Sequence, residues 1–177
     1  MNFQELISRR QSDRKYDKSR KVNRDDIVKC LEAARLAPSA CNSQPWKFVV
    51  VDNPEILPQM ASADAGMGMN KFTADAPVII AVVLEKMNFT ARIGSVIKDK
   101  EYRLLDIGIA VEHFCLQATE LGLGTCIMGW FNEKQVARLL GIKNRRIPLL
   151  IALGYPDSPH REKSRKSLEE ISSWNRY

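Results

Sequence analysis

Apolar positions recur along this chain with two periods, and the switches between them predict most of its elements. Phe3, Leu6 and Ile7 share one side of a short helix. Asn2 caps it, Glu5 completes a capping box, and it ends near Arg9. Residues 11–21 are polar and charged and read as a loop. Asn23 is a second N-cap. Ile27, Cys30, Leu31 and Ala34 follow at i, i+3, i+4 and i+7, an amphipathic helix. Pro38 stops it, because proline disfavours helical geometry in the residue before. The period then changes. Phe48 to Val51 is an apolar, β-branched run that reads as a buried strand over residues 47–52, with Trp46 as an anchor at its start. Asn53-Pro54 marks a turn, and residues 55–65 read as a helix beginning near Pro58 or broken by it, with Gly66 and Gly68 at its end.

Val78–Leu84 is apolar at every position, the pattern of a strand buried on both faces. Residues 86–100 follow neither period. Residues 102–121 form the longest helix. It is apolar on more than one face, which predicts burial inside the domain or against a partner subunit, and Gly122 is a fitting stop. Gly124–Met128 reads as a strand leading into Gly129-Trp130-Phe131. Asn132 with Gln135 predicts a capping box opening a helix that ends at Gly141. Residues 148–153 form the last core strand, closed by Gly154-Tyr155-Pro156. The tail, residues 157–177, is basic and then mixed, with Trp174 near its end. Strands and helices alternate irregularly, and no Gly-x-Gly-x-x-Gly follows the first strand, which argues against a Rossmann domain. Gly122-Leu123-Gly124 is a partial match in the wrong place. The 177 residues read as one domain, 1–177, with an appended tail.

A hydrophobic content of 45% supports a real core. The longest apolar run, residues 77–84, is too short for a bilayer, and the charged first ten residues lack an apolar signal core, so a cytoplasmic protein is expected. None of the four cysteines forms a Cys-x-x-Cys pair or a zinc framework; Cys30 and Cys115 fall on apolar helix faces and read as core residues. The net charge of +6 gathers in two clusters, residues 9–21 and 161–166. No zinc-finger, RNA-recognition or helix-turn-helix pattern surrounds them, so convergence on a phosphorylated small molecule is the preferred reading over nucleic acid. His113, beside Glu112 in the long helix, reads as a core or interface histidine, and His160 lies in the charged tail. No Ser-His-Asp set, His-x-x-x-His pattern or Walker A motif occurs, and Cys41 has no neighbouring histidine to make it a nucleophile. In an enzyme with this inventory the chemistry belongs to a bound cofactor.

The loop between the second helix and first strand is dense in small polar side chains: Ser39, Asn42, Ser43 and Gln44. The pattern Pro38-Ser39-x-x-Asn42-x-Gln44-Pro45-Trp46 resembles the signature of the nitroreductase family, the FMN-dependent NAD(P)H oxidoreductases. Cys41 stands where the family more often has glycine or a small polar residue. Arg10-Gln11-Ser12-Asp13-Arg14 resembles the family's N-terminal Arg-x-Ser-x-Arg/Lys motif, except at Asp13, where an apolar residue is usual. The resemblance implies that Arg10 and Ser12 bind the FMN phosphate, with Gln11 between them, and that Arg14 reaches the pyrimidine edge and tunes the flavin. An arginine fork and a hydroxyl donor suit a phosphate dianion. Lys163-Ser164-Arg165 is similar to the family's C-terminal Lys-x-Arg and implies Lys163 and Arg165 at the same phosphate. Pro38, Ser39, Asn42 and Gln44 match flavin-contacting positions. Asn70 matches a residue that hydrogen-bonds the ribityl chain or ring, and Met128 and Gly129 match the segment over flavin N5. The Glu-Gly pair of larger members is missing there, as in the family's shorter branch.

The resemblance implies an α+β, three-layer fold: a mixed, mostly antiparallel sheet flanked by helices. It also implies a homodimer with FMN at the subunit interface, the long helix in the dimer core and the tail lying on the partner. The implied activity moves a hydride from NADH or NADPH through flavin N5 to a nitroaromatic, quinone or similar acceptor by a ping-pong mechanism. No catalytic side chain, metal, membrane or nucleic acid takes part. Other flavin reactions on the same fold (flavin fragmentation, dehalogenation, azoline oxidation) and a flavin-binding protein without turnover remain open alternatives.

Overall fold

A computed structural model of the chain describes residues 1–64, 68–88 and 100–177. In chain order the elements are α1 (Phe3–Arg9), α2 (Arg24–Arg35), β1 (Trp46–Val51), α3 (Leu57–Asp64), β2 (Val78–Leu84), α4 (Tyr102–Glu120), β3 (Gly124–Met128), α5 (Glu133–Leu139), β4 (Arg146–Gly154) and α6 (Leu168–Ile171). The strands form one sheet in the order β1-β2-β4-β3, and every neighbouring pair is antiparallel. Among the described residues the sheet is therefore antiparallel throughout, and the parallel contact is an isolated bridge beside it, between Ser12 and Thr125.

β2 divides the hydrophobic core in two. Successive strand residues point to opposite faces. Val78, Ile80, Val82 and Leu84 pack with Ile27 and Cys30 of α2 and with Ile107 and Phe114 of α4. Ile79 and Ala81 face the other way, toward Met60 of α3 and Val136 of α5. β4 repeats the division, with Ile151 and Leu153 on the first face and Leu150 and Ala152 on the second. The result is helix, sheet, helix: the α+β, three-layer arrangement. Burial pushes the Cys30 and Cys115 thiols up to about 12, which leaves both as unreactive core residues.

Several sequence expectations change in detail. β1 is only partly buried, with Lys47 exposed, because it is an edge strand with one strand partner among the described residues. α3 begins at Leu57; the Asn53 side chain accepts from the Glu55 N–H in the turn before it. β4 starts at Arg146, ahead of Pro148. The register shifts opposite Val82 and Leu84, a bulge that accommodates a residue with no N–H to donate. Only half of the expected capping box opens α5. The Asn132 side chain accepts from Gln135 N–H, but the Asn132 N–H donates to the Ala63 carbonyl. Most of the segment at residues 86–100 and the glycine at 66 lie outside the described residues. No helix among the described residues is long and apolar enough to cross a membrane.

α4 is buried through Asp106, Ile107, Ala110, Val111, Phe114, Cys115 and Ala118. Its remaining face exposes Leu104, Leu105 and Ile109, a continuous apolar stripe. The tail exposes Leu168, Ile171, Trp174 and Tyr177 at intervals of three residues, and Trp174 is 92% exposed.

Candidate functional site

The two basic clusters meet, and the backbone explains how. α1 ends at Arg10, whose extended backbone turns the chain into the Ser12–Thr125 bridge, where the Asp13 N–H donates to the Thr125 carbonyl at 2.8 Å. Asp17 N–H then donates to the Tyr155 carbonyl at 2.9 Å, and Asp157 N–H to the Lys15 carbonyl at 3.0 Å. Residues 12–17 are thereby stitched to β3 and to the chain leaving β4. The tail must start its course beside the N-terminal cluster.

Arg10, Gln11, Ser12 and Arg14 line a cavity of about 360 Å³ together with residues 161–165. Arg161 donates from Nη2 to the Ser12 carbonyl at 2.6 Å, and Lys163 Nζ donates to the Arg10 carbonyl. Five cationic side chains therefore line one cavity, against one carboxylate among its lining residues, Glu162. Arg10 Nε lies 3.5 Å from Glu112 of α4, but it is buried without a hydrogen-bond partner among the described residues. Partial burial, then the Arg10 and Arg165 guanidinium groups, push the Lys163 ammonium below the usual lysine range. Crowded like charge and an unsatisfied buried donor are what an anion would relieve. A phosphate dianion with several acceptor oxygens suits this donor set.

The Pro38–Gln44 loop is built separately. Ala40 to Asn42 make a 3-10 turn, and the backbone at Cys41, Asn42 and Gln44 is left-handed, with φ of 50°, 52° and 46°. Ser39 Oγ accepts from the Gln44 N–H at 2.9 Å, and Gln44 Nε2 donates to Asn42 Oδ1 at 3.0 Å. Both oxygens of Asp106, a buried residue of α4, accept from the Ala40 N–H, at 3.1 and 3.2 Å. Asn88 closes the far side, donating to Ser43 Oγ and to the Cys41 carbonyl. A third group forms at the end of β3, where Asn70 Nδ2 donates to the Trp130 carbonyl at 2.8 Å beside Met128 and Gly129.

One chain brings some of these groups together and holds others apart. β3 links the cradle to Met128: the three residues from Thr125 span about 10 Å at the usual strand rise. None of Pro38, Ser39, Asn42 or Gln44 is among the described residues lining the cradle. Their loop is tied to α4 at Asp106, whereas Arg10 meets α4 at Glu112. Six helical residues separate those attachments by about 9 Å along the axis and about 120° around it. Sequence reasoning missed Asp106, although a lone acid in an otherwise apolar stretch of helix is a detectable signal. It also left Arg161 as one charge in a cluster and gave no role to Asp13.

A family model described as the nitroreductase family matches residues 7–155. The oxygen-insensitive NADPH nitroreductase of Helicobacter pylori (strain J99) is 28% identical over 96% of this chain and 95% of that protein. A nitroreductase family protein from Streptococcus pneumoniae superimposes with a TM-score of 0.84 at 26% identity, covering 98% of this chain and all of that one. A solved FMN-dependent nitroreductase from Clostridium difficile gives a TM-score of 0.80 at 25% identity, over 97% and 98% of the two chains. Matched in sequence over most of its length and in fold from end to end, the chain belongs to the nitroreductase family.

Proposed function

We propose that the chain is an FMN-dependent NAD(P)H oxidoreductase acting on a nitroaromatic, a quinone or a similar acceptor. The observation that carries this reading is the cradle. Basic groups from opposite ends of the chain converge with Ser12 on one cavity, and the buried Arg10 Nε, 3.5 Å from Glu112, has no hydrogen-bond acceptor among the described residues. Arg10, Ser12, Lys163 and Arg165 would hold the phosphate. Arg14, exposed at the same cavity, supplies positive charge for the flavin's pyrimidine edge. Asn70, Met128 and Gly129 would offer polar and backbone groups at and beyond the end of β3, where Asn70 donates to the Trp130 carbonyl. When bound, FMN supplies N5 as the centre that accepts the hydride and serves NAD(P)H and the acceptor in turn. The chain's own task is binding, orientation and electrostatics. Steady-state oxidation of NADH or NADPH should give parallel initial-rate lines when both substrates are varied, and Cys41→Ser should keep most of the activity. Intersecting lines, or FMN-loaded Cys41→Ser with no turnover, would refute the mechanism.

The same proposal includes a homodimer. Among the described residues, the exposed leucines and isoleucine of α4, the exposed tail residues and the unpaired edge of β1 are surfaces left uncovered in a single copy. The Pro38–Gln44 loop and the cradle mount on different sides of α4, which fits a site completed by residues of a second copy. Light scattering is expected to give twice the chain mass, and removal of residues 171–177 to weaken assembly or flavin retention. A flavin-bearing monomer would contradict the dimer.

Lys163 gives the site a pH dependence. Its ammonium is depressed in the free protein, and a bound phosphate would raise it again. The bound state therefore holds the proton more tightly. Affinity is fully present below the depressed value and falls as pH rises through it toward the bound value. Above the phosphate's own second ionisation near about pH 6, FMN affinity should decline before the ordinary lysine range of about 10.4. Lys163→Arg should flatten the decline, because guanidinium stays charged. A decline of equal size in Lys163→Arg would remove Lys163 from the site.

A further inference from the structure

Gln11 lines the cradle and Asp13 lies two residues on, outside its lining, and their side chains are committed to one another and to the tail. Asp13 is 5% exposed, and its Oδ1 accepts from Gln11 Nε2 at 2.7 Å. At the other end of the same amide, Gln11 Oε1 accepts from the Arg161 backbone N–H at 3.0 Å. Nε2 also lies 3.5 Å from the Pro159 carbonyl. One side chain thus bridges the N-terminal motif to the tail at the point where the tail enters the cradle.

The orientation of that bridge follows from hydrogen-bond chemistry. An amide has a donating and an accepting end, and an ionised carboxylate only accepts. Beside Asp13 the NH2 group of Gln11 must turn inward. The oxygen is then left pointing at the tail, the one orientation that can receive the Arg161 N–H. With an apolar residue at position 13, the amide loses the shorter of the two acceptors that hold its NH2 end, and only the 3.5 Å contact to the Pro159 carbonyl would remain to oppose a flip. Gly124 makes room for this arrangement, since a Cβ there would stand 2.6 Å from Asp13 Oδ2.

We propose that Asp13 and Gln11 form a clasp that fixes the register of residues 159–165, and that they are positioning residues for phosphate binding rather than contacts of the phosphate. Arg161 is held at its backbone by Gln11 and through its guanidinium by the Ser12 carbonyl. Lys163, two residues on, then reaches the Arg10 carbonyl. The clasp accounts for the departure at Asp13, and it rests on the reading of the cradle as the FMN-phosphate site.

The experiment compares FMN and riboflavin binding by the full-length parent, Asp13→Leu, Asp13→Asn, Gln11→Leu and Arg10→Ala, with amide hydrogen exchange at Arg161. Leucine copies the shape of Asp13 without an acceptor. Leucine at this buried position needs no hydrogen-bond partner, so the melting temperature of Asp13→Leu should stay near that of the parent. The substitution should nonetheless weaken FMN binding by about fivefold to tenfold, the loss of one net hydrogen bond, and leave the weaker riboflavin binding unchanged. Gln11→Leu should do the same, and both should lose protection at the Arg161 amide. Asp13→Asn retains an accepting oxygen and should stay close to the parent in FMN affinity and Arg161 protection. The clasp is overturned if Gln11→Leu and Asp13→Leu keep both FMN affinity and Arg161 protection while Arg10→Ala loses FMN. It is also overturned if FMN and riboflavin are lost in parallel, as general destabilisation would produce. If Arg10→Ala too leaves FMN binding intact, the phosphate reading falls, and the clasp's role with it.

Discussion

Arg10→Ala and Arg165→Ala should each weaken FMN binding tenfold or more. A hydrogen bond to a charged group contributes about 1.5–3 kcal/mol, and a phosphate offers each guanidinium two oxygens. Arg10 is expected to show the larger effect. Its Nε is already buried, so most of its desolvation is complete before the ligand arrives. Arg165 is exposed, and it donates to the neighbouring Ser164 carbonyl, a contact it must partly exchange for the phosphate. The double variant should lose more than either single one but less than their product, because the two cations share one ligand. Arg10→Ala also leaves Glu112 without its partner at 3.5 Å. Arg10→Lys separates the contributions: it keeps the charge near Glu112 but not the fork. Affinity for FMN that survives Arg10→Ala unchanged would remove this residue from the phosphate site.

Phe114→Ala should lower folding stability by about 3–5 kcal/mol, the range for deleting a fully buried aromatic ring. Phe114 is 0% exposed and its ring stacks on Phe48 at 6.1 Å between centroids. It joins the middle of α4 to the edge strand β1 across the sheet face that also receives α2. The neighbours are held by the sheet ladder and by their own helices, so the cavity cannot easily collapse. For a chain of this size the melting temperature should fall by about 10 °C. A fall corresponding to less than about 1 kcal/mol would mean that α4 is not seated on the sheet as described. The same helix carries Asp106 and Glu112, so flavin retention in this variant should fall along with stability.

Where local pattern and tertiary demand agree, the sequence is easy to read. β2 could be bounded to the residue because every position is buried, and α2 because its cap, stripe and terminating proline act together. The cradle residues were legible because a phosphate requires particular side chains, and those residue types stand close together in each cluster. What failed to show is what depends on distant contacts. The partial exposure of β1 comes from its edge position, which sequence does not announce. Half of the α5 capping box was displaced by the Ala63 carbonyl, a competitor some seventy residues earlier. Asp13 looked like a misfit because its partner amide is itself fixed by a tail residue 150 positions away. α6 in the tail was missed outright, although Ser167 and Glu170 make a capping box that local reading could have found.

The most direct test of the phosphate cradle is an equilibrium titration of the flavin-free parent protein with FMN and with riboflavin, which differ only in the phosphate. Three or more charge-assisted contacts at about 1.5–3 kcal/mol each predict that FMN binds at least about a hundredfold more tightly. Equal affinity for the two would contradict the account.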